Sequence, residues 1–328
     1  MSTELVIVIG LGILFDFLNG VHDSSNIVAT MISSHAFRPR TALTMTAIAE
    51  FSGPFLFGVA VATTIGDEVA TPGTITLHAI TACLIAAIFW DLFTWFLGFP
   101  SSSSHALIGG LIGSVATGAG FGAIKLDGLG KVLIALFTSP LIGFVVGFLL
   151  LRFIFFLARA ATPKVNEFFK RAQFFTAIGM AFSHGTNDAQ KTMGVLTLSL
   201  VIGGVLPTFK VPLWVIAASA GAIALGTSVG GWRLIRTLGG KFYKIRPVHS
   251  FATQLTSSVI ILVASLLGGP VSTTQVVSSA IIGVGSAERL GKVRWSVAGD
   301  IVTAWIVTIP VSALISAGIY LLLVRFWA

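Results

Sequence analysis

The chain has 328 residues, of which 55% are hydrophobic and only 10% are charged, and its mean hydropathy is +0.96. This composition excludes a soluble globular domain of that length and indicates a membrane protein with several spanning segments. The formal net charge is +8. Because basic residues are enriched in the cytoplasmic loops of membrane proteins, we interpret the excess as loop charge, and we expect the lipid bilayer and no nucleic acid as a partner.

Apolar stretches follow one another along the whole chain, and several approach the roughly 20 residues that a spanning helix needs. They cover residues 4–18, 41–65, 78–98, 105–120, 131–158, 172–182, 193–206, 213–232, 251–268, 276–286 and 297–324. We interpret the shorter stretches as half-helices. The longest polar connection runs from Arg233 to His249, so no separate soluble domain is predicted. No basic region precedes the first apolar stretch, so a cleaved signal peptide is not expected. A single cysteine, Cys83, excludes an internal disulfide and a cysteine metal cluster.

A polar string interrupts the first apolar stretch and returns in the second half of the chain. The first copy is Asn19-Gly20-Val21-His22-Asp23-Ser24-Ser25-Asn26, and 165 positions later stands His184-Gly185-Thr186-Asn187-Asp188-Ala189-Gln190-Lys191. A carboxylate inside a membrane costs roughly 2.5 to 3.5 kcal/mol on insertion scales, so both aspartates need a functional reason. We expect these strings to break helical continuity, so that carboxylates, carboxamides and freed carbonyls ligate a hard cation such as Na⁺. The predicted coupling-cation residues are Asp23, Asp188, Asn19, Asn187 and Gln190, with the two aspartates as the candidate Na⁺ ligands.

A second duplicated string is rich in hydroxyl groups. Gly98-Phe99-Pro100-Ser101-Ser102-Ser103-Ser104-His105 is echoed 170 positions later by Gly268-Gly269-Pro270-Val271-Ser272-Thr273-Thr274-Gln275. Proline followed by serine or threonine is typical of a chain reversal and a helix N-cap, and helix N-termini rich in such donors bind oxyanions. The predicted anion-binding residues are Ser101, Ser102, Ser103, Ser104, Ser272, Thr273 and Thr274, with Asn26 and Lys191 from the first string. Lys191 either contacts the anion or neutralises Asp188.

Further polar residues interrupt apolar sequence outside the two strings. Glu50, His105, His184 and Gln275 are predicted to modulate the site. Glu50 aligns with Ala218 in the second half and therefore breaks the repeat. We expect buried packing roles for Asp16, Asp91 and Asp300, and structural or interfacial roles for His22, His78 and His249.

The duplication divides the chain into an N-terminal transmembrane repeat, residues 1–160, and a C-terminal transmembrane repeat, residues 165–328, which together form one transport domain. The connection 233–246 carries five basic residues, whereas its counterpart near 66–77 carries two acids and no base. Because basic loops face the cytoplasm, equivalent loops of the two halves are predicted to face opposite sides of the membrane.

The predicted fold class is therefore an all-α polytopic membrane protein with two inverted-topology repeats, broken helices and re-entrant helical hairpins. When residues 78–120 and 249–287 are taken as the hairpins, each half crosses the membrane three times and both termini lie outside. Inverted repeats of this kind place a substrate site near the bilayer midplane.

Two carboxylates beside an anion site favour coupled transport. At about 5 Å and an effective dielectric constant of about 20, each pair of like charges repels by about 3 kcal/mol, so cations must bind before the anion is tolerated. An anion channel is a less favoured alternative, because a channel does not need buried acids. The chain has no Gly-x-Ser-x-Gly elbow and no Gly-x-x-x-x-Gly-Lys-[Ser/Thr] loop, so we expect neither an intramembrane hydrolase nor ATP hydrolysis. We expect no enzyme and no cofactor.

The two long strings, Phe17 to Asn26 and Ala181 to Lys191, closely resemble the paired signatures of the inorganic phosphate transporter (PiT) family. The resemblance covers essentially the whole chain in the short bacterial form. It implies a secondary transporter of the inner (plasma) membrane that moves inorganic phosphate with Na⁺ or H⁺ by alternating access, with some members moving metal phosphate. By analogy it also implies a homodimer.

The resemblance assigns roles residue by residue. It implies that Asp23 and Asp188 are the cation-site acids, that Glu50 and His184 matter for transport, and that the serines and threonines at 102–104 and 272–274 surround phosphate. His22 stands where many members have asparagine, and Ser24-Ser25 replaces a more usual pair of small residues, which leaves both Na⁺ and H⁺ open. Because distant relatives carry sulfate, symport of another tetrahedral oxyanion is the alternative function.

Overall fold

The computed structural model describes residues 2–69 and 73–326, and these residues form helices and short connections without a β-strand. The helices are α1 (Thr3–Ser33), α2 (Pro39–Phe57), α3 (Ala60–Thr63, continued by a π-helical turn over Thr64–Glu68), α4 (Leu77–Leu97), α5 (Ser103–Ala119), α6 (Leu126–Leu157), α7 (Val165–Ile202), α8 (Leu213–Val229), α9 (Trp232–Gly240), α10 (Pro247–Leu266), α11 (Thr273–Glu288) and α12 (Trp295–Phe326). Within these ranges, five helices are long and apolar enough to cross a membrane, or up to seven if each bent pair counts as one span. The all-helical membrane fold is confirmed.

Corresponding helices of the two halves run antiparallel through the centre of the molecule. Leu5, near the start of α1, packs on Gly203, just after the end of α7. Further along α1, Asp16 Oδ1 accepts a hydrogen bond of 2.5 Å from Thr192 Oγ1. Residues later in α1 contact residues earlier in α7, so the two helices are antiparallel. A two-fold axis that relates them is therefore perpendicular to both. This is the geometry that inverted repeats require.

Both copies of the first duplicated string, residues 19–26 and 184–191, lie inside continuous helices. The predicted helix break at this string is therefore wrong. Their glycines serve packing between helices instead. A Cβ atom on Gly20 would lie 2.0 Å from the carbonyl oxygen of Ile223, and one on Gly185 would lie 2.2 Å from the carbonyl oxygen of Glu50. Only a residue without a side chain permits these backbones to approach so closely.

These two contacts also correct the alignment of the halves. Gly20 and Gly185 are equivalent positions of the duplicated string, so their packing partners, Ile223 and Glu50, are equivalent as well. The expected counterpart of Glu50, Ala218, is therefore displaced by five positions. Because isoleucine also lacks an acidic group, Glu50 still breaks the repeat.

The helix breaks occur in the second helix of each half. The α2–α3 pair bends by 73° and the α8–α9 pair by 71°. Gln190 on α7 holds the first bend, because its Oε1 accepts from Val61 N at 2.8 Å and its Nε2 donates to Gly58 O at 2.6 Å. Ser24 on α1 holds the second bend by accepting from Gly231 N at 2.7 Å. The predicted broken helices are thus present, at places that the polar strings did not mark.

Each half also contains a helical hairpin whose tip reaches the centre. The α4–α5 and α10–α11 hairpins turn at Gly98 and Gly268, which both adopt positive φ angles. The long helices are exchanged between the halves, since α6 packs on α11 and α12 packs on α5. Both hairpin tips thereby meet α1 and α7 where the polar strings lie.

Candidate functional site

Two buried carboxylates form the centre of the site. Asp23 on α1 and Asp188 on α7 are each at most 1% exposed. The Thr273 hydroxyl, in the first turn of α11, lies 2.7 Å from Asp188 Oδ2 and 3.2 Å from Asp23 Oδ2. The antiparallel crossing of α1 and α7 therefore brings the repeated aspartates to one point.

His184 joins these two acids to Glu50. Its Nδ1 lies 2.5 Å from Glu50 Oε1, and its Nε2 lies 2.9 Å from Asp188 Oδ2 and 3.6 Å from Asp23 Oδ2. Both ring nitrogens therefore face carboxylates. Since Glu50 fixes one side of the ring, it orients the side that meets the aspartates.

Lys191 places an ammonium group beside the acids. It forms an ion pair with Asp188 on the same helix. The same Nζ donates to Ser104 Oγ at 2.6 Å and to the carbonyl oxygen of Val271 at 2.8 Å. Two roles were predicted for Lys191, contact with the anion or neutralisation of Asp188. The structure has the ion pair with Asp188. The contact to Ser104 also brings its ammonium group to the first turn of α5.

The hydroxyl strings cap the helices α5 and α11 as predicted. Ser102 Oγ accepts from His105 N at 3.1 Å, and Ser272 Oγ accepts from Gln275 N at 3.3 Å. The first turns of both helices lie at the site, since Thr273 of α11 contacts both aspartates and Ser104 of α5 contacts Lys191. Ser101 lies farther from the acids and pairs with Thr94 Oγ1 at 2.6 Å.

The halves interlock through two equivalent contacts. Asn26 Nδ2 on α1 donates to Thr274 Oγ1 at 3.0 Å, just as Lys191 on α7 donates to Ser104 on α5. Thr274 Oγ1 also lies 3.0 Å from Asp23 Oδ1. Each central helix thus holds the hairpin of the opposite half.

Other predicted site residues take supporting positions. Asn187 fastens the α10–α11 tip by donating to Ser265 Oγ at 2.8 Å. Asn19 is buried, and its Oδ1 has no hydrogen-bond partner among the described residues. His105 and Gln275 approach each other at 3.3 Å, between the two hairpins. Asn187 and Gln190 lie beside the acids but bond to surrounding backbone and hydroxyl groups.

Sequence reasoning gave too little weight to His22 and overlooked a backbone group. His22, expected to be structural, lies with its Nδ1 2.9 Å from Asp23 Oδ1. The Val271 carbonyl, which accepts from Lys191, has no side-chain signal in the sequence. Adjacency of His22 to Asp23 was the available clue. Asp300, expected to be buried, is exposed on α12.

The arrangement is suited to cations and oxyanions together. Ligand atoms of Asp23, His184 and Asp188 all lie within 4.8 Å of one another. Two carboxylates with the Thr273 hydroxyl offer the oxygen atoms that a hard cation such as Na⁺ prefers. The N-termini of α5 and α11, close by, offer donors to an anion.

A crevice of about 650 Å³ leads from the surface to one hairpin tip. It runs between α6 and α10, and an exposed ion pair of 2.9 Å between Lys131 and Glu68 lies on its wall. Gly269, Pro270 and Val271 of the α10–α11 tip are among the residues that line it. The crevice therefore reaches the segment whose carbonyl group binds Lys191.

Comparison with known proteins agrees with this geometry. Residues 19–316 match the model of the phosphate transporter family. The chain is 44% identical to the "Probable low-affinity inorganic phosphate transporter" of Rhizobium meliloti (strain 1021), over 96% of this chain and 95% of the relative. It is 42% identical to the protein of the same name from Bacillus subtilis (strain 168), over 98% of this chain and 97% of the relative.

A solved structure is also similar. It is described as "The sodium-dependent phosphate transporter", and it matches with a TM-score of 0.89 and 25% identity over 99% of this chain and all of its own. The family and these relatives are transporters and not enzymes, as predicted. The chain therefore belongs to the phosphate transporter family as a multi-pass membrane protein.

Proposed function

We propose that the chain is a cation-coupled symporter of inorganic phosphate that works by alternating access in the cytoplasmic membrane. The observation that carries this proposal is the meeting of Asp23 and Asp188 at the first turn of α11, with Lys191 joining Asp188 to the first turn of α5. Because the anion site adjoins two carboxylates, binding of phosphate and binding of the cation depend on each other.

Phosphate is recognised by donors in this proposal. The first turns of α5 and α11 supply N–H groups with partial positive charge, and Ser103, Ser104, Thr273 and Thr274 supply hydroxyls. Lys191 lies 2.6 Å from Ser104 and adds a full positive charge at the edge of this group. Neutral donors bind a tetrahedral oxyanion without a cluster of arginines, which favours its release.

The coupling cation is held by the carboxylates. Bringing phosphate to within about 5 Å of two ionised aspartates costs about 3 kcal/mol for each pair of unit charges at an effective dielectric constant of about 20. A cation bound between Asp23 and Asp188 offsets this repulsion. Because the structural relative is described as sodium-dependent, Na⁺ is the first ion to test and H⁺ is the second.

The test is uptake of radiolabelled phosphate into proteoliposomes that contain the purified chain. An imposed Na⁺ gradient, an imposed H⁺ gradient and no gradient are compared, with Asp23→Asn and Asp188→Asn as variants. Asp300→Asn is the matched control, because this aspartate lies near the start of α12 and is exposed. We expect accumulation with one gradient, lost in both site variants and kept in the control.

The same vesicles distinguish the alternatives. Equilibration of phosphate without any gradient, unchanged in the aspartate variants, would support an anion channel and contradict symport. Accumulation of labelled sulfate in place of phosphate would reassign the substrate. The homodimer stays a prediction, to be tested by the mass of the protein in lipid nanodiscs.

A further inference from the structure

A small cavity with a mainly apolar lining and a few polar side chains lies next to the acid cluster but outside it. It has a volume of about 70 Å³ between α1 and α4, and it is lined by Leu18, Val21, His22, Asp91, Leu92 and Trp95. His22 separates it from the site, because its Nδ1 lies 2.9 Å from Asp23 while its Nε2 is on the other edge of the ring.

The polar atoms around this cavity are buried and unpaired. Both carboxylate oxygens of Asp91, Nε2 of His22 and Nε1 of Trp95 have no hydrogen-bond partner within residues 2–69 and 73–326. Asp91 itself is 2% exposed. An unsatisfied buried polar group costs about 1 to 3 kcal/mol, so four such atoms around one cavity indicate bound water. The volume suffices, since one water needs only about 10 to 15 Å³.

The corresponding corner of the other half is fully paired. Asn187 stands where His22 stands, and its amide bonds to Ser265 Oγ at 2.8 Å, to Gly269 O at 3.3 Å and to Val271 N at 3.3 Å. The hairpins superpose with a shift of 170 positions, which places the fully buried Ile261 at the position of Asp91. The scaffold therefore does not need an acid or a cavity at this place.

The lining of the cavity limits what Asp91 binds. A Na⁺ ion needs several oxygen ligands, whereas Leu18, Val21 and Leu92 present apolar side chains. A proton needs only one carboxylate oxygen, and both oxygens of Asp91 are buried without a hydrogen-bond partner among the described residues. We propose that Asp91 is a proton-binding site of the transporter, hydrated through the cavity that it shares with His22 and Trp95.

The charges around Asp91 link this site to the acid cluster. His22 and Asp23 on α1 and Asp188 on α7 act on it electrostatically, and Arg233 on α9 lies with its Cζ 5.8 Å from the Trp95 ring centroid. His105 is the titratable residue of α5, and α12 meets α4 through Thr308, which bonds to Trp90. Phosphate arriving at the cluster adds negative charge and favours protonated Asp91, so the two binding events assist each other. This linkage rests on the proposed function, whereas proton binding at Asp91 does not.

Infrared difference spectroscopy of the full chain in lipid tests the proposal. Only a protonated carboxyl group has the carboxylic acid C=O stretching band. We expect such a band that disappears as the pH is raised, is lost in Asp91→Asn and is shifted in Asp91→Glu. Asp16→Asn is the matched control, because Asp16 is equally buried but bonds to Thr192. Addition of inorganic phosphate is expected to strengthen the band.

Two results would overturn the proposal: spectra of wild type and Asp91→Asn that coincide at every pH, or a band of Asp91 that does not titrate. If Asp91→Asn does not fold, the shifted band of Asp91→Glu carries the same test. Exchange of labelled phosphate across the vesicle membrane without a gradient is measured in parallel. Wild type that titrates at Asp91 but does not exchange phosphate contradicts the proposed function and leaves the proton site standing.

Discussion

Asn187 and His22 occupy corresponding places on α7 and α1, yet their surroundings differ. The amide of Asn187 makes three hydrogen bonds to α10 and the tip that follows it. His22 bonds to Asp23 on one side and faces a cavity with Asp91 on the other. The comparison teaches that the repeated scaffold sets positions, while single side chains decide whether a corner is closed by protein or kept polar and hydrated.

A second pair of corners differs in charge. On the second helix of the C-terminal half, Ile223 lies opposite Gly20. At the equivalent place in the N-terminal half Glu50 bonds to His184, whereas Asn19 occupies the position of His184 in the other string. The Glu50–His184 pair therefore corresponds to Ile223 and Asn19 at the equivalent positions, so the aspartates are related by the repeat but differ in their neighbours.

The largest effect is expected for Lys191→Met, which removes the ion partner of Asp188. Breaking a buried ion pair by deleting one member costs about 3 to 5 kcal/mol, because the other charge stays buried and unpaired. The thermal midpoint of the protein in detergent should fall steeply, and phosphate uptake should be lost. Asp188→Asn with Lys191→Met should recover most of the stability but no uptake. At the equivalent position, Asn26→Ala should cost only about 1 kcal/mol. Equal losses at the two positions would show that the charges do not distinguish them.

Substitution of the equivalent packing glycines should destabilise the two halves to a similar extent. Gly20→Ala and Gly185→Ala each bring a Cβ within about 2 Å of a backbone carbonyl, at 2.0 and 2.2 Å. Overpacking of this kind costs about 1 to 3 kcal/mol, and the two variants should unfold at similar temperatures. Gly10→Ala is the control, because among the described residues no atom outside its own stretch of helix lies within 4 Å of its Cβ position. A control as unstable as the variants would refute the packing explanation.

Part of this arrangement could be predicted from the sequence. The duplicated strings place Asp23 and Asp188 at equivalent positions, and the asymmetry of loop charge indicates inversion, so their meeting on antiparallel helices followed. The prediction of a helix break at the strings was wrong. A glycine such as Gly20 is compatible with a break or with close helix packing, and only the tertiary contact with the Ile223 carbonyl shows that packing is its role. A packing role was predicted for Asp91 because it has no repeat partner. Its cavity could not be predicted, since it depends on how α1 and α4 pack against each other.

Exchanging the residues of the two corners tests the first comparison directly. Asn187→His loses the amide bonds to Ser265, Gly269 and Val271, and we expect it to lower the free energy of unfolding by about 1 to 3 kcal/mol. In His22→Asn, water takes the place of the imidazole ring, and the free energy of unfolding should fall by less than about 1 kcal/mol. Chemical denaturation of both variants gives the two values. If His22→Asn proves the more damaging, the His22 corner is the more tightly paired one.

The smallest effect concerns the hairpin tips. Arg233 donates to Phe96 O and holds the α4–α5 tip, while the other tip lines the crevice. In a Cys83→Ala background, Val271→Cys should react with a soluble thiol reagent faster than the equivalent Ser101→Cys. Adding Arg233→Ala should accelerate Ser101→Cys several-fold while changing stability by less than about 1 kcal/mol. Equal rates in all three proteins would show that Arg233 does not restrain the tip.

The exchange of α6 and α12 between the halves has a consequence during synthesis on the ribosome. Gly143 and Gly147 on α6 pack against the backbone of α11, which follows in sequence by more than 100 residues. At about 5 to 20 residues per second, α6 waits on the order of ten seconds for its partner to emerge. During that interval lipid must cover a helix face that is built for another helix. The N-terminal half therefore enters the bilayer before it can adopt its final packing, and the fold is complete only after α11 and α12, the partners of α6 and α5, have been made.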